Sequence, residues 1–330
     1  MNLVLWATVV AGRAAMGEPR LFYGRNRIPA SDESAFGGAI KFQHLDRAFP
    51  NSPRDFNLLY LGSSTVPADA RVWLRLARRR GAGVLWNQNG VAYPGWHGPG
   101  WERTNEPLAR GLHAADHVIY QSEFCKLSSD RFLGPVSKPS EVLHNPVDTS
   151  RFTPAKAPPE RPTVLVAANR TQPYRLALAL RTLELLPEDW QLLVAGPAPP
   201  LDASRVQLAG AYTQDDAPTL MRRAHILLHP KYNDPCPTFV LEAMACGLPV
   251  VYSASGGVPE LVGDAGIGVS TRHDWERDHP PTPEQLREAV LDAMGRRQEL
   301  GAAARRRAVE RFDLQPWLAR HRELFTELTS

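Results

Sequence analysis

Short apolar runs alternate with longer stretches of helical periodicity along most of this chain. In the second half the runs are Thr163 to Ala168, Gln191 to Gly196, Ile226 to His229 and Pro249 to Tyr252. LALALRTLELL follows the first, and Pro237 to Cys246 follows the third, with apolar residues at Phe239, Leu241 and Met244 and a stop at Gly247. Both segments read as helices, the second with proline near its first helical position and glycine just past its last. Runs this short and this apolar fit buried strands, and their alternation with helices predicts the parallel sheets of an α/β fold. The first half repeats the rhythm at Arg20 to Arg25, Asn57 to Gly62, Gly83 to Trp86 and His117 to Tyr120. MNLVLWATVV at the start is a further strand or an extra element against the first sheet.

At 330 residues the chain has room for two domains of ordinary size, each with its own core. An apolar fraction of 43% and a charged fraction of 22% belong to a soluble globular protein. Net charge of +3 is too small to argue for nucleic acid, and neither aromatic-basic repeats nor zinc-like Cys/His spacings occur. Cys125, Cys236 and Cys246 are odd in number and scattered, which predicts reduced thiols in the cytoplasm. No apolar stretch approaches the roughly 20 residues that span a membrane. The leading segment lacks the basic start of a signal peptide. No strand is followed by Gly-x-Gly-x-x-Gly, which argues against a nicotinamide dehydrogenase.

The chemistry concentrates in HPKYNDPCPTFVLEAMACGLPVVYSASGGVPEL, residues 229 to 261. Asp234 lies in the loop that leaves a strand, at the edge where open α/β sheets bind ligands. Glu242 lies in the helix that follows. The next strand runs into Ser253-Ala-Ser-Gly-Gly-Val-Pro-Glu260, whose small residues at Ser255, Gly256 and Gly257 allow close backbone approach. Pro259 and Glu260 open another short helix, whose free N–H groups suit an anion such as pyrophosphate. Taken singly, Asp234 is equally a solvated loop residue and Glu242 a residue on a helix surface.

In combination and order these residues resemble the donor-binding region of retaining GT-B glycosyltransferases of family 4, the glycosyl transferases group 1. Their motif has two glutamates separated by seven residues, then an apolar strand and a Gly-Gly-x-Pro-Glu turn. The resemblance implies that Asp234, one methylene shorter than the usual glutamate, contacts the donor sugar and that Glu242 holds the ribose hydroxyls of the nucleotide. It extends upstream to Asn169-Arg-Thr-Gln-Pro-Tyr-Arg175, where Arg170 and Arg175 match an Arg and a Lys directed at the donor phosphates. A planar guanidinium is not a point charge, so the second replacement changes geometry. Arg175 is alternatively a solvated residue at a helix start. Tyr212 comes where such folds meet the nucleobase, or simply packs.

The fold implied is α/β, GT-B, with two Rossmann-like doubly wound domains facing a cleft and a C-terminal helix crossing back to the N-domain. Residues 1–154, with about 315–330, form the acceptor-side domain; residues 155–314 form the donor-binding domain. Pro154 to Pro162 is the linker, after LHNPVDTSRFT, which resembles the Asn-Gly-Val-Asp segment closing the first domain in relatives. In the N-domain, Gly37 and Gly38 occupy the place of a glycine-rich loop that faces the donor, although a Gly-Gly pair is usually just a turn. Where many relatives have a His close to the donor sugar, this chain reads Leu85-Trp-Asn-Gln-Asn-Gly90. Asn87 or Asn89 can hydrogen-bond sugar hydroxyls there. His97, in YPGWHGPGW, either enters from the side or stays an exposed loop residue. Trp96 and Trp101 form an acceptor platform or pack.

The implied function is a retaining, metal-independent transfer of a sugar from a nucleotide-sugar donor to a glycan or lipid-linked acceptor, in polysaccharide, glycolipid or surface-glycan biosynthesis. The nucleotide sugar is a substrate, so no cofactor is implied. Arg170, Arg175 and helix N-termini meet the charge that develops on the departing diphosphate. Two other readings stand beside it: a related GT-B synthase using a sugar phosphate, and a degenerate protein that binds nucleotide sugars without turnover. The basic stretch Arg71 to Arg80 carries Trp73, Leu74 and Leu76. It is either a helix packed on its own sheet or a peripheral contact with anionic lipid at the inner face of the membrane.

Overall fold

The computed structural model describes residues 14, 17–33, 37–169, 171–201 and 204–330; MNLVLWATVV lies outside them. The chain divides into two compact units. Unit 1 contains Met1–Ala30, Phe36–His144 and Gln315–Ser330, and unit 2 contains Ser31–Ala35 and Asn145–Leu314. The division at His144 and Asn145 comes before residue 154, where the sequence puts it. The reason is packing: Val147 and Phe152 are buried with Leu165, Leu193 and Leu227 in the core of unit 2, and Val147 bridges to Asp313.

In unit 1 the described strands are β1 (Leu21–Phe22), β2 (Leu58–Gly62), β3 (Gly83–Gln88), β4 (His117–Tyr120) and β5 (Ser140–Val142). They pair in parallel in chain order. The helices are α1 (Gly37–Ala48), α2 (Ala70–Arg80), α3 (Pro94–His97), α4 (Trp101–Ala114) and α5 (Glu123–Phe132). Alternation along β2 sends Leu59 and Leu61 to one face and Tyr60 to the other. Leu59 and Leu61 are buried with Trp73, Leu74 and Ala77 of α2 and Leu112 of α4. Tyr60 meets Phe42 of α1 and, from the C-terminal helix Leu314–Thr329, His321 and Phe325. Strands covered on both faces read as continuous apolar runs, and so they do in the sequence.

The basic stretch forms α2, and Trp73, Leu74 and Ala77 along it are buried on its own sheet. Arg71, Arg75, Arg78 and Arg79 stay on the exposed side. No helix among the described residues is long and apolar enough to cross a membrane.

Unit 2 holds β6 (Thr163–Ala167), α6 (Tyr174–Leu185), β7 (Gln191–Ala195), β8 (Val206–Gly210), α7 (Ala217–Met221), β9 (Ile226–His229), α8 (Thr238–Ala245), β10 (Val250–Ser253), α9 (Val258–Val262), β11 (Gly266–Val269), α10 (Pro283–Gly295) and α11 (Arg297–Phe312). The parallel sheet has the order β11-β10-β9-β6-β7-β8. From β6 the chain steps outward to β7 and β8, then returns to β9 and steps outward the other way. The order therefore reverses between β6 and β9, and the loops leaving their C-terminal ends diverge around a crevice suited to a ligand. The helix after β9, α8, is apolar around most of its circumference: Val240, Leu241, Ala243, Met244 and Ala245 are all buried. Such a helix is driven inside from every side, each fully buried Val, Leu or Met contributing roughly 1.5–3 kcal/mol. It carries Glu242 inside with it.

Candidate functional site

The loop between β9 and α8 places Asp234 at 7% exposure. His229 Nε2 lies 3.0 Å from Asp234 Oδ2, and Lys231 Nζ lies 3.2 Å from Oδ1. Burial acts to raise the Asp234 pKa, but Lys231, His229 and Arg175 together hold the carboxyl well below the usual range. His229 is lowered chiefly by burial, although Asp234 opposes this. A neutral ring facing a carboxylate keeps its proton on Nε2, so Nε2–H donates to Oδ2. Nδ1 is then a bare acceptor, and it has no partner among the described residues.

The turn after β10 gives this loop its shape. Asn233, at φ +50°, donates its backbone N–H to Ser255 Oγ at 2.8 Å, and Ser255 Oγ lies 2.9 Å from Ser253 Oγ. Gly257 N–H donates to Asp234 O at 2.9 Å. Gly256 has φ +68°, and a Cβ there would stand 2.6 Å from the backbone of Asn233 and of Asp234. The small residues Ser255, Gly256 and Gly257 thus permit close approach, and what approaches is the backbone that carries Asp234. Glu260 lies in α9, its backbone carbonyl held by Arg307. From the other side Asn145 Nδ2 donates to Cys236 O at 2.9 Å.

Arg175 opens α6, at the C-terminal end of β6. It is 6% exposed, and burial lowers its pKa against the pull of Asp234, Tyr174 and Tyr212. Its guanidinium makes no hydrogen bond or ion pair among the described residues, and Nε is buried without a partner. Its neighbour Tyr174 accepts the N–H of Tyr232 at 3.1 Å, which ties the start of α6 to the Asp234 loop. Arg170 lies outside the described residues.

Glu242 is 2% exposed. Burial pushes its pKa up to about 7, a shift that Gln214 and Arg151 reduce. Gln214 Nε2 donates to Oε1 at 2.9 Å, while Oε2 makes no hydrogen bond among the described residues. Tyr212, whose hydroxyl is raised by burial, feels the charges of both Glu242 and Arg175. Unit 2 therefore gathers Arg175, Tyr212, Asp234 and Glu242 at one crevice. It can receive an anion at the guanidinium and hydroxyl groups at the two carboxyls.

The remaining predicted residues lie in unit 1. Gly37 and Gly38 open α1. Asn87 is buried inside β3, where Oδ1 accepts from Lys41 and Gln121 and Nδ2 donates to Tyr60 OH at 3.2 Å. These bonds use Oδ1 twice and one of the two Nδ2 hydrogens. Asn89 Oδ1 turns back to the N–H of Gly90 at 2.8 Å. His97 stands at the end of α3, exposed, with Nε2 2.8 Å from Thr104 Oγ1. Trp96 is 46% exposed, and Trp101 sets its ring edge-on to Phe132. Sequence reasoning missed Lys231, His229, Tyr174 and Gln214. The first two carry a faint signal, a His at a strand end and a Lys three positions before the acidic residue; Gln214 has none.

Two α/β units with parallel sheets and helices on both faces constitute a two-domain GT-B fold, and solved structures share it. Over 88% of this chain, Anabaena HepE in complex with UDP-glucose superposes with a TM-score of 0.69 at 16% identity, covering 82% of that protein. Sucrose-phosphate synthase from Thermosynechococcus elongatus gives 0.68 at 18% identity, covering 88% of this chain and 76% of its own. Residues 161–294 match the family model of glycosyl transferases group 1. A D-inositol 3-phosphate glycosyltransferase from Salinispora arenicola is 31% identical over 207 residues, which are 51% of this chain and 45% of that protein. An alpha-maltose-1-phosphate synthase from Mycolicibacterium smegmatis is 28% identical over 249 residues, 65% of this chain and 64% of its own. The chain thus spans about half the length of the inositol-phosphate relative.

Proposed function

We propose that this protein is a retaining glycosyltransferase that moves a sugar from a nucleoside-diphosphate sugar to a glycan or lipid-linked acceptor. The observation that carries the reading is Arg175: a buried guanidinium without a hydrogen bond or ion pair among the described residues, near the buried Asp234 carboxyl. An unpaired buried cation is costly unless an anion completes it, and a diphosphate provides both charge and oxygen geometry for a guanidinium. In this reading Asp234 and Glu242 accept hydroxyls of the sugar and of the ribose. The bond from the anomeric carbon to the diphosphate breaks, the acceptor oxygen bonds to the same face, and its proton passes to a phosphate oxygen. The departing charge is met by Arg175 and Arg170, so we assign the neutralisation to protein cations and not to a metal.

We place the reaction in the cytoplasm, consistent with three cysteines that are all buried thiols, and in the building of a polysaccharide, glycolipid or surface glycan. Approach to a membrane through α2 would be electrostatic, by Arg71, Arg75, Arg78 and Arg79. A thermal-shift panel of nucleoside diphosphates and their sugars, run on wild type and Arg175→Met, tests the reading. Stabilisation by one nucleotide class, lost in the variant, is expected. No shift with any nucleotide would overturn it.

A further inference from the structure

Gln214 belongs to no motif in the sequence, yet it is 7% exposed and holds Glu242. It sits on the turn between β8 and α7, and that turn is braced on both sides. Thr213 donates its N–H and Oγ1 to Asp216 Oδ2 at 3.1 and 2.8 Å. Arg151 Nη2 reaches Gln214 O at 3.3 Å and Asp215 Oδ1 at 2.7 Å. The amide is therefore presented from a fixed backbone, and α8 fixes the other end of the contact. With Oε1 taken by Gln214, the orientation of the Glu242 carboxylate is set and Oε2 is the oxygen left to a ligand. The other groups that face Glu242 are Tyr212 from the same loop, Arg151, and Cys246 at the end of α8; Arg151 is already engaged by Asp215.

We propose that Gln214 is a positioning residue that aims Glu242 Oε2 at the vicinal hydroxyls of the donor's ribose, so that the site selects ribonucleotides. This rests on the nucleotide-sugar reading above. A second consequence follows from the hydrogen bond itself, which favours the charged carboxylate over the neutral acid. Hydroxyl donors from a ribose also favour the charged form. Nucleotide affinity should therefore rise with pH through about 7 in wild type, and the rise should move to higher pH when the amide is removed.

The test is calorimetric titration of wild type and Gln214→Leu with the nucleoside diphosphate that binds best and with its 2′,3′-dideoxy analogue, from pH 6 to 8.5 (~half-unit steps). We expect Gln214→Leu to weaken the ribonucleotide about tenfold, equivalent to about 1.4 kcal/mol, to leave the dideoxy compound within about twofold, and to shift the pH midpoint upward. Equal weakening of both ligands, or an unmoved midpoint, would make Gln214 a merely structural residue and overturn the proposal. Failure of wild type to bind any nucleoside diphosphate would instead remove the nucleotide-sugar reading, and this inference with it. Gln214→Glu, which keeps the volume and replaces the donor with a second carboxyl, should depress affinity most at high pH; an increase there would also count against the proposal.

Discussion

Gly256 and Asp234 are in direct backbone contact: a single methyl group at Gly256 would stand 2.6 Å from Asp234 O. The left-handed backbone at Gly256 adds to the steric conflict. Gly256→Ala should therefore cost about 2–6 kcal/mol, summing the backbone and overpacking terms, and displace the acidic loop. Urea unfolding checks the stability. Turnover or donor binding retained at wild-type level in a folded Gly256→Ala protein would show that the placement of Asp234 is not critical.

Arg175 makes a prediction that runs against intuition. Removing an unpaired buried cation relieves a desolvation penalty, so Arg175→Met should melt at or above the wild-type temperature without ligand. It should also lose most of the stabilisation that a nucleoside diphosphate gives. A variant clearly less stable than wild type when empty would mean that the guanidinium has a structural partner.

Asp234 links stability to acid. Its folded pKa lies below its ordinary value of 3.8, so its contribution is present above that value and is lost as pH falls through the lower one. Asp234→Asn should lower stability near neutrality by about 3 kcal/mol, since it leaves the half-buried Lys231 without its carboxylate. The variant should also flatten the acid limb of a stability profile. Equal slopes for the two proteins below pH 3.8 would contradict the assignment.

Glu242 has the opposite sign. Its pKa is raised from 4.5 to about 7, so the folded state holds a proton that the unfolded state has released, and stability falls as pH rises across that interval. Glu242→Gln should be more stable than wild type above pH 7 when empty, with the gap closing below 4.5. It should nevertheless bind nucleotide less well. Chemical denaturation at several pH values would reveal a constant offset if the shift were absent.

How much of this the sequence discloses depends on whether a feature is local. β6, β7, β9 and β10 of unit 2 and the loop and helix carrying Asp234 and Glu242 are contiguous in sequence, so periodicity and turn residues locate them. β5 (Ser140–Val142), β8 (Val206–Gly210) and β11 (Gly266–Val269) are not legible, because partly exposed segments such as SEV lack an apolar run. Asn87 stands where a strand end meets a loop, and only the fold reveals that Lys41, Gln121 and Tyr60 occupy its amide. The hydrogen bond from Gln214 to Glu242 joins residues 28 positions apart, a relation no local pattern encodes. His229 and Lys231 lie inside the recognised segment, yet their role as clamps on Asp234 depends on the loop's turn at Asn233.

The C-terminal helix has a bearing on how the molecule is made. Its His321 and Phe325 lie against Tyr60 on the second strand of unit 1, and Tyr60 OH is 3.0 Å from His321 Nε2. A ribosome releases all of unit 2 before it releases this helix, so the unit begun first is completed last. Until then Tyr60 and its sheet face lack part of their cover, and a nascent chain paused before residue 315 would display them to chaperones or to neighbouring chains.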